Sequence, residues 1–339
     1  MLEGKTIGVV VPCFNEETQI VRVLEGIADF ADLVVVVNDA STDNTALVVE
    51  EYIKHQGQAS KVMLIHREKN GGPGAAVAHG YRQCLRRNMD VAVVVDGDGQ
   101  TDPNDLVRLA QPVARGETDY AKGNRLFHQE AWRIIPRHRY LGNAFLSMLT
   151  KIASGYWHVA DSQSGFVAIS REALETIGLD GLHHSYGYPN DMLIRLNVYD
   201  FRVADVPIKP IYRIGEQSKL KIHTVVPGIS WLILRQFFWR MWRKYVIRDF
   251  HPLVLFYAAS GVALLVGTLL FVRLILVWIA TGRIPPINAL AWVLCMISAT
   301  QFGLSAMWFD MEVNRDLKVT LKKPPESRRN LREETDTGV

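Results

Sequence analysis

The amino-acid sequence predicts an α/β domain with a mostly parallel sheet, followed by an amphipathic helix and two membrane-spanning helices. Apolar runs rich in Val and Ile alternate with helical stretches over the first third of the chain, a pattern typical of a parallel sheet covered on both faces. Two later runs without charged residues reach the roughly 20 residues that cross a hydrocarbon core. With 48% hydrophobic and 22% charged residues among 339, the composition excludes a disordered chain.

Charge and cysteine content exclude several classes of protein. The net charge of +3, from 38 basic and 35 acidic residues, gives no reason to expect nucleic-acid binding. Cys13, Cys84 and Cys295 are too few and too scattered for a disulfide framework or a zinc site. The first residues enter a strand-like run without a signal segment, so we expect folding in the cytosol.

The first domain is predicted from strands and helices that alternate in order. Strands are predicted at 6–11, 33–37, 62–66 and 91–95, and helices at 17–30, 43–55 and 74–87. Shorter elements follow, with strands near Tyr120, at 166–169 and at 202–211, and helices at 140–153 and 191–199. We interpret the stretch 118–222 as the part that completes the domain. Ligands of such sheets bind beyond the carboxyl ends of the strands.

Two apolar runs predict membrane crossings. No charged residue occurs at 253–272 or at 287–309, and the alternative is a pair of buried helices in a soluble domain. Basic residues gather before the first run (Arg235, Arg240, Arg243, Lys244, Arg248) and after the second (Lys318, Lys322, Lys323, Arg328, Arg329). The connection between the runs holds one Arg, so the positive-inside rule places both the N-terminal domain and the tail in the cytoplasm.

The segment before the first run predicts an amphipathic helix in the headgroup plane. At helical spacing, one face carries Leu234, Phe238, Met241, Trp242 and Tyr245, and the opposite face carries Arg240, Arg243, Lys244 and Arg248. The alternative is an ordinary surface helix packed on the domain. The predicted organisation is the α/β domain at 1–225, the amphipathic helix at 226–250, two spans within 251–310 (about 253–279 and 287–309) and a charged, solvated tail at 311–339.

Polar residues follow the predicted strands at the points where ligands bind. Asn15 and Glu16 follow the first strand, Asp39 the second, and Asp96 and Asp98 the fourth. Two carboxylates one residue apart favour a hard cation, Mg²⁺ or Mn²⁺, that keeps phosphate and water oxygens as further ligands. A polar turn after a strand is the alternative interpretation.

A glycine-rich segment, NGGPG at 70–74, opens the helix after the third strand. Close approach of its backbone to a phosphate is one interpretation, and a turn with a helix start is the equally weighted alternative. It is not a dinucleotide fingerprint, because Val77 replaces the third glycine, and it is not a P-loop.

Several ordered motifs carry a resemblance to a known family. PCFNEE at 12–17, NDASTD at 38–43 and DGDGQ at 96–100 resemble the signatures of family 2 glycosyltransferases, which have a GT-A (Rossmann-like) fold and use nucleotide-diphospho-sugar donors. GNR at 123–125, DSQSGF at 161–166 and RIGEQSKL at 213–220 are similar to the polyprenyl-phosphate (dolichyl-phosphate) mannosyl- and glucosyltransferases. The resemblance covers roughly 5–225, with Gln217 as an insertion in the last motif.

The resemblance implies a role for each matching residue. The donor nucleotide would be bound by Pro12, Asn15, Glu16, Asp39, Asn70, Gly71, Asp96 and Gln100. The metal would be bound by Asp96, Asp98 and Gln100, and the acceptor phosphate by Arg139, Asn143, Arg213, Ser218 and Lys219. The catalytic set would be Asp98, Arg125, Asp161 and Asp191. Asp161 and Asp191 could each act as a base or orient the acceptor, and helix capping is the structural alternative for both.

The implied activity is an inverting, metal-dependent transfer of one sugar from GDP-mannose or a UDP-hexose to polyprenyl phosphate at the cytoplasmic membrane face. A membrane-bound polysaccharide synthase is an alternative, although Gln236 and Arg240 do not form that class's Q-x-x-R-W order. A catalytically inactive nucleotide-binding subunit is another. Small residues in the first span, including Gly261, would permit a homo-oligomer.

Overall fold

The computed structural model describes residues 1–27, 29–57, 60–126, 137–209 and 222–321. Within these ranges, one eight-stranded sheet organises the N-terminal domain. Its strands are β1 Ile7–Cys13, β2 Leu33–Asn38, β3 Val62–His66, β4 Val91–Val94, β5 Tyr120–Asn124, β6 Val167–Ser170, β7 Val203–Pro207 and β8 Lys318–Val319. The order across the sheet is β3-β2-β1-β4-β6-β5-β7-β8, and only β6 runs antiparallel to its neighbours. The predicted mostly parallel sheet is confirmed.

Helices cover both faces of this sheet, and further helices follow the sheet domain along the chain. They are α1 Ile20–Ile27, α2 Thr45–Gln56, α3 Pro73–Arg86, α4 Pro103–Ala114, α5 Arg137–Ser154, α6 Arg171–Ile177, α7 Tyr188–Val198, α8 Ile222–Trp242, α9 Leu253–Thr281 and α10 Pro286–Val313. Side chains alternate along β1, so Val9 and Val11 pack in the layer under α1 and α4, while Val10 packs in the layer under α3 and α7. Two apolar layers therefore hold the sheet, as its near-continuous apolar strands require.

Helix α8 and the π-helix Arg243–Arg248 that continues it bury polar as well as apolar side chains against the domain, while large apolar side chains of α8 stay exposed. Gln236, Arg240 and Lys244 are buried against the domain, whereas Trp231 is 68% exposed and Phe238 62% exposed. The predicted arrangement is wrong in part, because the basic residues Arg240 and Lys244 face the domain and Met241 and Tyr245 are buried beside them. Local spacing could not reveal this, since the acceptors of these cations come from distant parts of the chain.

Helices α9 and α10 form an exposed apolar hairpin. They contain 29 and 28 residues, and only 6% and 11% of their most apolar windows are buried. A buried pair inside a soluble domain would be mostly covered, so that alternative does not describe these helices. Their length and composition suit membrane crossing, and their bounds exceed the predicted spans by a few residues at the ends.

The chain returns to the sheet after α10. Arg315–Leu317 form a short 3-10 turn, and Lys318 and Val319 pair in parallel with Val203 and Ala204 of β7. The prediction of a solvated tail at 311–339 is therefore wrong at its start, where α10 continues to Val313 and Lys318 and Val319 join the sheet, and residues 322–339 lie outside the described ranges. A strand of two residues shows no period, which is why the sequence did not reveal it.

Candidate active site

The predicted polar residues meet at one edge of the sheet. Strands β2, β1 and β4 are adjacent and parallel, so the loops that follow them share the carboxyl edge. These loops carry Asp39, then Asn15 and Glu16, and finally Asp96 and Asp98. The topology thus brings together residues that lie up to 83 positions apart in the chain, from Asn15 to Asp98.

The loops after β1 and β2 fix each other. Asn15 adopts a left-handed backbone with φ of 57°, and its Oδ1 accepts a hydrogen bond from the Thr42 amide at 2.8 Å. The amide of Asn15 donates to Ser41 Oγ at 3.0 Å, and the amide of Glu16 donates to Thr45 Oγ1 at 2.8 Å. The two motifs that the sequence showed separately are therefore one folded unit, in which Asn15 positions the wall of the candidate donor site.

Asp39 anchors the glycine-rich loop. Its buried carboxylate pairs with Arg67 and accepts from the amide of Gly71 at 3.0 Å and from the amide of Gly72 at 2.8 Å. The Gly72 amide also donates to Asn70 Oδ1 at 3.1 Å. These amides are thus directed at protein acceptors, and the turn-with-helix-start interpretation of this loop fits the contacts better than phosphate binding.

Gly74 lets the loop before α7 approach the start of α3. A Cβ at Gly74 would lie 2.1 Å from the carbonyl oxygen of His183, which is closer than any real contact. The amide of Ala75 donates to the carbonyl of His184 at 3.0 Å. The glycine therefore serves a backbone-to-backbone contact between the α3 N-terminus and residues 183–184.

The acidic residues after β4 form a negatively charged centre. Burial, together with the carboxylates of Asp98 and Glu16, raises the pKa of Asp96 to about 7, although Arg125 and Lys122 oppose the shift. Helix α1 contacts the loop after β4, because Arg22 Nη2 donates to the carbonyl of Gly99 at 3.0 Å. A buried carboxyl beside other carboxylates is stabilised in its ionised form by a cation.

The loop between the two aspartates is tightly packed. A Cβ at Gly97 would lie 2.8 Å from Cys13 Sγ and 3.2 Å from the carbonyl oxygen of Pro12. Burial raises the pKa of the Cys13 thiol, and the Glu16 carboxylate adds to the shift. Cys13 is therefore a small buried filler, and Pro12 contacts the acidic loop through its backbone.

Asp96 and Asp98 suit a divalent cation whose remaining coordination positions are filled by oxygens of a bound molecule and of water. Asp98 Oδ1 accepts from the Gln100 amide at 3.0 Å, which orients that carboxylate within its loop. Among the described ranges, no group of three His, Cys, Asp or Glu side chains forms a complete metal cage. Mg²⁺ suits one or two carboxylates completed by phosphate and water oxygens, so the two aspartates match that pattern.

Arg125 and Asp161 form an ion pair next to this centre. Arg125 Nε donates to Asp161 Oδ2 at 2.7 Å, and Nη2 donates to Oδ1 at 3.1 Å. Burial alone would raise the pKa of Asp161, but the Arg125 guanidinium holds it below the usual range. The carboxylate thus stays ionised and fixes the guanidinium. Asp161 does not cap a helix, and its interpretation as an N-cap is wrong.

Asp191 lies inside the first turn of α7, whose N-cap is Gly187. Its Oδ1 accepts from Gln236 Nε2 at 2.7 Å, and its Oδ2 accepts from Arg195 Nε at 3.1 Å. The capping interpretation is therefore wrong for Asp191 as well. Because Gln236 belongs to α8, this fully buried carboxylate connects the domain to the juxtamembrane helix.

Lys122 is a site residue that the sequence reasoning missed. It is fully buried in β5, and its Nζ donates to the carbonyl of Ser164 at 2.6 Å. Burial lowers its pKa to about 7, while Asp161 opposes the shift. A lysine inside a strand three residues before Arg125 was the available signal.

The loop 161–165 and the loop before α7 complete the walls. A Cβ at Gly165 would lie 3.2 Å from Asp96 Oδ2 and 3.0 Å from the Tyr188 hydroxyl. Burial raises the pKa of Tyr186, and the carboxylates of Asp96 and Glu16 add to the shift. Both tyrosines were missed, because a single aromatic residue in a loop, such as Tyr186, or at the first position of a helix, such as Tyr188, carries no spacing signal.

The predicted acceptor residues are only partly described. Asn143 is half-buried on α5, and Arg139 lies in the first turn of the same helix, with its side chain outside the described set. Arg213, Ser218 and Lys219 lie outside the described ranges. Their roles therefore stay predictions.

The chain is similar to known proteins over most of the catalytic domain predicted from the sequence. Residues 8–178 match the family profile described as Glycosyl transferase family 2. The UDP-N-acetylglucosamine–dolichyl-phosphate N-acetylglucosaminyltransferase of Methanococcus voltae is 31% identical over 221 residues, covering 62% of this chain and 88% of that protein. The polyprenol monophosphomannose synthase of Mycolicibacterium smegmatis is 29% identical over 203 residues, covering 59% and 75%.

The fold also resembles a solved structure. Glucosyl-3-phosphoglycerate synthase from Mycobacterium tuberculosis, in complex with Mn²⁺, uridine-diphosphate and glucosyl-3-phosphoglycerate, superposes with a TM-score of 0.51 at 22% identity over 70% of this chain and 80% of that chain. This likeness concerns the fold, and it confirms the predicted GT-A architecture. The profile match covers the strands and loops that build the acidic centre, and the chain belongs to glycosyl transferase family 2.

Proposed function

We propose that this chain transfers one sugar from a nucleotide-diphospho-sugar to a polyprenyl phosphate at the cytoplasmic face of the membrane, with inversion and with Mg²⁺ or Mn²⁺. The Methanococcus voltae relative is named for transfer of N-acetylglucosamine to dolichyl phosphate, and the Mycolicibacterium smegmatis relative for synthesis of polyprenol monophosphomannose. Both names contain a polyprenyl lipid, and they differ in the sugar. This supports the acceptor class and leaves the sugar open.

The observation that carries the proposal is the acidic centre around Asp96. Its pKa of about 7 reflects burial beside Asp98 and Glu16, an arrangement that favours a bound cation. When bound there, a divalent cation would neutralise charge on the departing nucleoside diphosphate. Asp96 and Asp98 would hold it, and Gln100 is a third candidate from the same loop.

The reaction needs little proton transfer from the protein. A phosphate monoester with a second pKa of about 6 is largely dianionic at neutral pH, so its oxygen can attack the anomeric carbon directly. The new carbon–oxygen bond forms as the bond to the nucleoside diphosphate breaks, which inverts the configuration. The task of the protein is to bring two anions together, and Arg125, held in place by Asp161, supplies a fixed cation for this.

Outward apolar residues support a membrane-facing acceptor side. Trp231, Leu234 and Phe238 are exposed on α8, and Phe145 and Met148 are exposed on the neighbouring α5. Contiguous exposed apolar surface beside apolar spans is typical of contact with lipid. A lipid acceptor would be reached from this side.

The sheet also constrains the proposed topology. Strand β8 follows α10 and pairs with β7, so both ends of the α9–α10 hairpin must lie on the side of the catalytic domain. With the basic residues that flank the hairpin, the positive-inside rule favours the cytoplasm for this side.

The test is transfer by the detergent-purified full chain. The protein is incubated with Mg²⁺ or Mn²⁺, undecaprenyl phosphate and, separately, UDP-N-acetylglucosamine, UDP-glucose or GDP-mannose, and the lipid fraction is analysed by mass spectrometry. We expect one added sugar with one of these donors and none after chelation of the metal. A ladder of sugars, or tight nucleotide binding without any lipid product, would contradict the proposal.

A further inference from the structure

A buried polar cluster joins three distant segments of the chain. We name it the Asp310 cluster, and it consists of Asn197, Arg240, Lys244, Tyr245, Asp310 and Asn314. Asn197 lies on α7 of the catalytic domain, and Arg240 lies in the last turn of α8. Lys244 and Tyr245 lie in the π-helix Arg243–Arg248, whereas Asp310 lies near the end of α10 and Asn314 directly after it.

The centre of the cluster is the ion pair between Arg240 and Asp310. Arg240 Nη2 donates to Asp310 Oδ2 at 2.8 Å and Nη1 donates to Oδ1 at 3.1 Å, with both side chains 0% exposed. Arg240 also donates to Asn197 Oδ1 at 3.0 Å and to the carbonyl of Ile152 at 3.2 Å. A single guanidinium thus holds the second span and two helices of the catalytic domain.

The remaining members complete the hydrogen bonding of Asp310. Its Oδ1 accepts from the Tyr245 hydroxyl at 2.7 Å and from Asn314 Nδ2 at 3.0 Å. Lys244 Nζ donates to Asn314 Oδ1 at 2.8 Å and pairs with Asp200 at 2.7 Å. A buried network whose members are paired in this way specifies one arrangement, because any sliding leaves buried charge unpaired.

The domain is shaped to receive this guanidinium. Gly155, at the end of α5, has φ of 75°, and a Cβ there would lie 2.4 Å from Arg240 Nη1 and 2.9 Å from Asn314 Nδ2. The position therefore accommodates glycine alone while the cluster stays formed.

Helix α7 links the cluster to the candidate active site. At its N-terminal end, Asn190 Oδ1 accepts from Nε2 of Gln163, two residues after Asp161, at 2.8 Å. The following residue, Asp191, accepts from Gln236 of α8 at 2.7 Å. At the other end of α7, Asn197 contacts Arg240. Helix α8 is thus attached to α7 at two points, at positions 236 and 240.

We propose that the Asp310 cluster is a positioning device that fixes the catalytic domain on its membrane hairpin and so holds the active site at the height of a membrane-embedded phosphate. The proposal rests on the proposed function. Apolar packing alone permits rotation and sliding, whereas the Arg240–Asp310 pair fixes both distance and angle. Arg240 and Asp310 are therefore positioning residues that do not touch the substrate.

The test compares two acceptors with one set of variants. Arg240→Met, Arg240→Lys and Tyr245→Phe are reconstituted in lipid vesicles and assayed with undecaprenyl phosphate in the bilayer and with water-soluble citronellyl phosphate. For Arg240→Met we expect kcat/KM to fall roughly tenfold to a hundredfold with the bilayer acceptor and to stay within about twofold with the soluble one. Arg240→Lys keeps the charge and should recover part of the loss.

The control is Arg171→Gln, which removes an exposed arginine–carboxylate pair on α6 with an Nε–Oε1 distance of 2.7 Å. It should change neither activity. Equal losses of Arg240→Met and Tyr245→Phe with both acceptors would overturn the positioning role. If the wild-type chain transferred sugar to neither acceptor, the proposed function would fail instead.

A distance measurement tests the positioning role without an activity assay. Spin labels on Leu47→Cys, exposed on α2, and on Ile284→Cys, exposed between the spans, report the orientation of the domain on the hairpin. The distribution of distances between the two labels should be narrow in the otherwise wild-type chain and broader in Arg240→Lys and in Tyr245→Phe. The second variant removes a single hydroxyl. An unchanged distribution in both folded variants would overturn the proposal.

Discussion

Arg125 donates two hydrogen bonds to Asp161 beside the acidic centre of the site, one from Nε at 2.7 Å and one from Nη2 at 3.1 Å. Asp161 is fully buried, whereas Arg125 keeps part of its side chain exposed. The pair therefore presents a fixed cation to the site while its carboxylate is removed from water.

Replacing Asp161 with Asn should reduce both stability and turnover. The change leaves the Arg125 guanidinium without its buried counter-charge, so we expect about 3 kcal/mol of lost unfolding free energy. Asp180→Asn is the matched control, because Asp180 pairs with Arg82 at 2.8 Å but is almost fully exposed. Chemical denaturation with a parallel transfer assay measures both; equal effects of the two variants would contradict the assignment.

Replacing Asp98 with Asn should abolish most turnover and leave the fold intact. Loss of one metal-binding carboxylate removes several kcal/mol of transition-state stabilisation, or at least about a hundredfold in rate. Asp102→Asn is the control, because Asp102 caps α4 through the Asn104 amide and asparagine caps equally well. Mn²⁺ should raise the melting temperature of the wild type and of the control more than that of Asp98→Asn. Near-normal turnover of Asp98→Asn would remove the metal assignment.

Replacing Gly74 with Ala should destabilise the domain. The new Cβ would meet the His183 carbonyl oxygen at 2.1 Å, and overpacking of this kind costs about 1–3 kcal/mol. Gly142→Ala, in the interior of α5 with nothing within 4 Å, should instead stabilise the chain by about 0.5–1 kcal/mol. Thermal unfolding of the two variants measures these opposite signs, and a neutral Gly74→Ala would refute the close approach.

Acid should weaken the fold through His158. Burial lowers its pKa to about 4, with Lys318 and Lys151 adding to the shift while its bond to the Val203 carbonyl opposes it. Between about pH 6.5 and 4 the unfolded chain binds a proton that the folded chain does not, so stability falls as pH falls by up to about 3 kcal/mol.

His158→Gln keeps a donor for the Val203 carbonyl but cannot titrate. Its unfolding free energy should therefore depend less steeply on pH over this interval than that of the wild type. Denaturant titrations at pH 7, 6 and 5 compare the slopes, and identical slopes would rule out His158 as the cause.

The turn between the spans should be reached from outside the cell. A membrane-impermeant maleimide should label Ile284→Cys in intact bacterial cells, whereas Leu47→Cys should react only after lysis. Cys13 and Cys84 are buried and Cys295 is half-buried on α10, so labelling of the wild-type chain measures the background that is subtracted. The opposite pattern would reverse the proposed topology, and labelling of both positions would deny the membrane crossing.

The sequence was sufficient for the features that depend on local pattern. Alternating apolar and helical runs predicted the parallel sheet, and uncharged runs predicted α9 and α10, because periodicity and length are read directly from neighbouring residues. The acidic residues could also be located from the sequence, because they follow predicted strands and the carboxyl ends of parallel strands meet at one edge of the sheet.

Pairing across long separations was decided by the tertiary structure alone. Lys122 is held at the site by its hydrogen bond to the carbonyl of Ser164. Arg240 faces the domain because Asp310, 70 residues later, supplies its counter-charge. A helical wheel assigns every cation to water, since it contains no information about distant acceptors. The cost of burying an unpaired charge then decides which face of the helix is inside, and that cost depends on partners that only the folded chain brings near.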